Sequence, residues 1–146
     1  MTLPFRRVAA CLLLLAVCPV AASAEEGISY KVLSTPVLEA EQTIIGQPLA
    51  YPDGKAKVTA VIVTIPPGGE TGWHEHAVPL FGYMLEGELT VDYGDKGTRT
   101  YRHGDALMEA MNWPHNGTNR TETPLRILAV YMGAVDLPNA TSVPHP

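Results

Sequence analysis

Two histidines one residue apart, His74 and His76, open the stretch GWHEHAVPLFGYMLEGEL at residues 72–89. In an extended chain, residues i and i+2 point to the same face, so both imidazoles can grip one ion while Glu75 faces away. Such a pair usually calls for an acidic third ligand a few residues on, and Leu80 stands where it would be expected. A second stretch, GDALMEAMNWPHNGTN at residues 104–119, carries His115 just after Pro114. If its strand lies beside the first, His115 supplies a third nitrogen. Three neutral imidazoles with open positions suit Fe, Mn, Ni, Co, Cu or Zn, and not Ca or Mg.

Glu109 is the other residue of the second stretch with chemistry to offer. A glutamate inside ALMEAM is costly to bury unless it is paired, hydrogen-bonded or bound to a metal. It reads as a fourth ligand, as a general base beside the metal, or as a strand residue that faces solvent or an arginine such as Arg126. Glu86 and Glu88 flank Gly87 and read as solvated turn charges, and His103, before Gly104, reads as exposed. Trp73, Tyr83, Met84 and Trp113 are the substrate-binding candidates, with the two tryptophans best placed to line a pocket mouth.

Beta signals dominate the elements that must position these groups. KVTAVIVTI (57–65) is rich in β-branched residues and stops at Pro66-Pro67-Gly68-Gly69. LFGYML (80–85), ELTVDY (88–93), TRTYR (98–102), ALMEAM (106–111) and LRILAVYM (125–132) follow, separated by Gly, Pro and Asp turns. Short strands at this spacing predict an all-β sandwich or barrel. The region before residue 46 is read as edge strands or an arm, through YKVL and QTII. The Pro-rich tail after residue 135 is expected to be loosely ordered.

Both histidine stretches fit one family. Gly68, five residues, His74, one residue, His76, three residues, Leu80, six residues and Gly87 resemble the first signature of the cupin superfamily. Gly104, Ala110, Asn112, His115 and Asn119 hold the spacing of its second signature. The resemblance covers about residues 46–135 and implies a single-domain jelly roll, a double-stranded β-helix barrel enclosing a pocket. It also implies one divalent transition metal on His74, His76 and His115. Leu80 replaces the family's glutamate ligand, while Ala110 and Asn112 replace a proline and a glycine. The last two are turn chemistry, tolerable if Asn112 adopts the backbone angles of a glycine. Glu109 stands where related chains usually carry an apolar residue.

The chain's first segment follows a different logic. MTLPFRRVAACLLLLAVCPVAASA has two arginines, a short apolar core and a small-residue ending, the layout of a secretory signal peptide cut after Ala24. Both cysteines, Cys11 and Cys18, fall inside it, so the exported chain has no disulfide and no thiolate ligand. The layout is then signal peptide 1–24, arm 25–45, barrel 46–135 and tail 136–146. The formal net charge of −5 becomes more negative once Arg6 and Arg7 leave. With no basic stripe, nucleic acid is excluded as a partner, and no membrane association is expected after cleavage.

The expected function is that of a periplasmic or secreted, homodimeric cupin that binds a small molecule at a metal. It is an oxygenase, an isomerase or a lyase, or else a non-catalytic binder of a sugar or organic acid. Fold does not choose among these.

Overall fold

The computed structural model describes residues 32–146. The expected signal peptide and the first part of the expected arm, through residue 31, lie outside the described residues. Contacts divide the chain between Ser34 and Thr35, and the description below is of Thr35–Pro146.

Nine strands follow in order: β1 (Ala56–Ile65), β2 (His74–Glu75), β3 (Leu80–Glu86), β4 (Glu88–Asp92), β5 (Thr98–Arg102), β6 (Ala106–Met108), β7 (Asn116–Thr118), β8 (Leu125–Ala134) and β9 (Thr141–Ser142). One 3-10 turn, Gly94–Lys96, interrupts them. Among the described residues no helix is long and apolar enough to cross a membrane. A four-stranded sheet runs β1-β8-β3-β6, a three-stranded sheet runs β5-β4-β7, and β2 pairs with β9. All pairings are antiparallel.

Alternation decides which side chains meet between the sheets. Along β8, Leu125, Ile127 and Ala129 are buried while Arg126, Leu128 and Val130 are half-buried on the other face. Ile65, Met84, Leu107 and Ile127 from the larger sheet pack with Leu89, Val91 and Tyr101 from the smaller one. The jelly-roll reading of the sequence is therefore the architecture observed.

Two turns between these strands are fixed by backbone requirements. Between β3 and β4, Gly87 sits at φ 75°, and a Cβ there would come within 2.9 Å of the Leu125 backbone. Only glycine satisfies both conditions. The turn after β6 places Asn112 at φ 47°. This is the left-handed conformation the family's glycine would take, and asparagine tolerates it better than most residues.

Segments 42–47 and 141–143 are both tied to the barrel. Gln42 bridges Pro48, the Ile44 N–H donates to the Met108 carbonyl at 2.8 Å, and the Gln47 side chain brackets Met111. This segment therefore hydrogen-bonds along the edge of β6 and the turn beyond it. The tail departs from the loose order expected of it. Ser142 pairs with His74 and Thr141 with Glu75, and the Val143 N–H donates to the Trp73 carbonyl at 3.0 Å. Its polar residues and prolines hid a strand only two residues long, whose partner is the strand that carries the first histidine.

Candidate metal centre

The three histidines come together because β2 and the start of β7 are held side by side. The His74 N–H donates to the His115 carbonyl at 3.0 Å, and the His115 N–H returns the bond to His74 at 2.9 Å. His76, two residues after His74, falls on the same face. The potential ligand atoms of the trio lie within 4.8 Å of one another. Two atoms bonded to one ion at about 2.1 Å are at most about 4.2 Å apart, so small ring shifts close the trio on an ion.

Backbone carbonyls set the tautomers. His74 Nδ1 lies 2.8 Å from the Gly72 oxygen, His76 Nδ1 2.7 Å from the Asn139 oxygen, and His115 Nδ1 2.8 Å from the Trp113 oxygen. A carbonyl only accepts, so each Nδ1 must carry the proton and each Nε2 keeps its lone pair. Three lone pairs thus remain for a metal, held by outer partners of the kind that orient metal-bound imidazoles.

Electrostatics keep the rings neutral. Burial pushes His76 down to about 3, and the two neighbouring imidazoles push the same way against the Asn139 hydrogen bond. Burial likewise lowers His74 and His115, opposed by their carbonyl partners. Protons therefore compete weakly for the nitrogens a metal would use.

Glu109 is buried with 7% of its surface exposed, and it neither faces solvent nor pairs with Arg126. That arginine binds Glu86 at 2.8 Å instead, and Arg102 binds Glu88 at 2.9 Å. Glu109 Oε1 accepts the Ala110 N–H at 2.7 Å, while Oε2 lies 3.9 Å from His115 Nε2. Burial raises its pKa, against the opposing hydrogen bonds of Ala110 and Tyr93 and the proximity of His74. Tyr93, itself buried, meets the Tyr101 hydroxyl at 3.1 Å.

A cavity of about 70 Å³ reaches the trio. Its walls include Leu80, Glu109, Val63, Val91, Ile127 and Tyr131. One buried water needs roughly 10–15 Å³ on this measure, so the space suits a ligand of about five non-hydrogen atoms. Leu80 does face inward, as its motif position implies.

The substrate-binding candidates fall in other places. Tyr83 is half-buried on the outward-alternating side of β3, and Met84 is fully buried in the core; neither lines the cavity. Trp73 and Trp113 line a separate groove of about 420 Å³ with Asp92, Asp95 and His145. There the His145 ring sits edge-on to Trp73 at 4.7 Å, and Lys96 lies over Trp113. The larger groove contains none of the three clustered histidines, which open on the smaller cavity. Sequence reasoning missed Tyr131, whose ring stands 5.5 Å from His76. The alternation Leu125, Ile127, Ala129 already pointed to it.

Comparison with known proteins agrees with this architecture. The family model described as "Cupin domain" matches residues 61–131, which include both histidine stretches. An oxalate decarboxylase from Lactobacillus farciminis aligns at 24% identity and a TM-score of 0.52, over 59% of this chain and 26% of that one. A DMSP lyase from Ruegeria pomeroyi aligns at 22% identity and a TM-score of 0.52, over 67% and 47%. A conserved protein with a double-stranded β-helix domain from Klebsiella pneumoniae aligns at 14% identity and a TM-score of 0.52, over 73% and 100%. These likenesses show the fold. The chain spans about a quarter of the decarboxylase and about half of the lyase. No curated protein matches the sequence.

Proposed function

The chain belongs to the cupin superfamily through a cupin domain at residues 61–131, and we propose that it is an exported metal-dependent enzyme for a small oxygen-bearing molecule. His74, His76 and His115 hold one divalent transition metal. The observation that carries this reading is the set of three Nδ1-to-carbonyl hydrogen bonds, which leaves three Nε2 lone pairs free. Imidazole nitrogens without thiolate or multiple carboxylates favour a first-row transition ion over calcium or magnesium.

Bound there, the metal supplies Lewis acidity, or oxygen activation if it is redox-active. The chain's own residues do the rest. The apolar walls, Val63, Val91 and Ile127 among them, limit the water that shares the cavity and strengthen polar interactions inside it. Tyr131 and Thr71 are the polar side chains of the wall placed to orient a substrate's oxygens.

Export is supported by the leader-like residues 1–24. Self-association is supported by β1, an edge strand whose Val58 and Ile62 are exposed.

Metal analysis of untagged protein purified from its export compartment tests the reading. About one transition-metal ion per chain is expected, and His115→Ala should lower affinity by more than 100-fold. Protein that never loads any of Fe, Mn, Co, Ni, Cu or Zn would reject it. Unchanged affinity in His115→Ala would reject the three-histidine set.

A further inference from the structure

The position at which the family carries its glutamate is filled by Leu80, yet the cavity is not without a carboxylate. Leu80 and Glu109 are direct cross-strand neighbours. The register pairs Phe81 with Met108, and one step further the Glu109 N–H donates to the Leu80 carbonyl at 2.9 Å. Residues directly opposite on antiparallel strands project to the same face, and both side chains line the histidine cavity. We infer that the metal-side carboxylate has been transposed across the sheet, from residue 80 on β3 to Glu109 after β6. This rests on the three-histidine reading and adds a fourth ligand to it.

Three observations converge on that assignment. Oε2 of Glu109 lies 3.9 Å from His115 Nε2, within the span that two ligands of one ion can have. Oε1 accepts the Ala110 N–H, which fixes the carboxyl with Oε2 on the His115 side. Finally, among the described residues the carboxyl is buried without a Lys or Arg partner: the ion pairs of Arg102 and Arg126 go to Glu88 and Glu86. A buried carboxylate lacking a cation is costly, and a dication on the neighbouring nitrogens removes that cost.

The exchange also explains why Leu80 is tolerated. A glutamate at 80 beside Glu109 would place two carboxylates on facing positions of one cavity wall. Leucine there supplies wall and leaves one charge.

Cobalt(II) binding separates this assignment from the reading beneath it. Affinity is measured by competition with a chromophoric chelator, and the visible absorption of bound Co(II) reports its coordination. Glu109→Gln keeps the size and the acceptor for Ala110 but loses the charge. It should weaken Co(II) binding at least tenfold and alter the visible spectrum. The exchanged variant Leu80→Glu/Glu109→Leu returns a carboxylate to the other strand and should recover affinity to within about fivefold of the parent protein. Unchanged affinity in Glu109→Gln overturns the proposal, as does weaker binding with an unaltered spectrum. If the exchanged variant does not fold, the Glu109→Gln spectrum decides alone. Loss of binding in His115→Ala with none in Glu109→Gln rejects Glu109 and retains the trio. Retention in His115→Ala rejects the trio itself.

Discussion

The carbonyl of Asn139 accepts a hydrogen bond from His76 Nδ1 at 2.7 Å, across 63 residues of sequence. Gly72 and Trp113 serve His74 and His115 from within the same local turn. Asn139 reaches His76 from the tail. The pairing of Ser142 with His74 and the bond from Val143 to Trp73 fix the tail along β2. The C-terminal segment is thus an outer partner of the clustered histidines rather than a loose end.

Removal of residues 137–146 should therefore weaken the metal site while sparing the barrel. The deletion strips His76 of its tautomer-fixing partner and β2 of its strand partner. Loss of such outer partners costs roughly 10–100-fold in metal affinity. Competition titration of the truncated chain against the full one measures it, alongside a thermal melt in chelator. Equal affinities would show that the tail only covers the surface.

Much of this architecture was readable from pattern. Strands β1, β3, β4, β5 and β8 announced themselves because each is five or more residues of alternating or β-branched chain bounded by turn residues. The histidine trio was legible because its members sit at fixed offsets from turn glycines. The two-residue strands β2 and β9 were not, since strands so short carry no periodicity and depend wholly on what lies beside them. Met84 shows the same limit: alternation gives a side chain its face, but its depth along the barrel axis follows from neighbours remote in sequence. Glu109 was legible as an anomaly. Its placement opposite Leu80 required the sheet register.

Asn112 gives a local test of the turn that holds His76. Its N–H donates to the His76 carbonyl at 2.7 Å while its φ is 47°. Asn112→Gly should be neutral or slightly stabilising, because glycine adopts this backbone freely. Asn112→Val should cost about 1–2 kcal/mol, because a β-branched side chain is strained in the left-handed region. Chemical denaturation of both variants decides. Equal stability of the two would mean the turn relaxes to another conformation.

The exposed face of β1 predicts a dimer. β1 is ten residues long and stands at the edge of its sheet, with Val58 at 67% and Ile62 at 52% exposure. Long apolar edges of this kind usually require cover. Light scattering at micromolar concentration should give twice the chain mass, and Val58→Lys/Ile62→Lys should return it to that of one chain. A single-chain mass for the parent protein would refute the dimer.

Stability of the metal-free protein should depend on pH in a way set by the site. The histidines titrate near 6.5 when unfolded, but burial holds His76 down to about 3 and lowers His74 and His115. Below pH 6.5 the unfolded chain binds protons the folded chain refuses, so stability falls as pH drops from 6.5 towards 3. A fully mismatched histidine gives a slope of about 1.4 kcal/mol per pH unit. Glu109 acts with the opposite sign. Its raised folded pKa means the unfolded chain releases that proton first, so its cost grows as pH rises above the ordinary carboxylate range near 4.3. Glu109→Gln should remove this second effect alone, leaving the metal-free variant more stable than the parent at pH 7 and little different at pH 4. Denaturant titrations in chelator from pH 4 to 8 follow both limbs. Parallel curves for the two proteins would place Glu109 in an environment as wet as the unfolded chain, contrary to its burial.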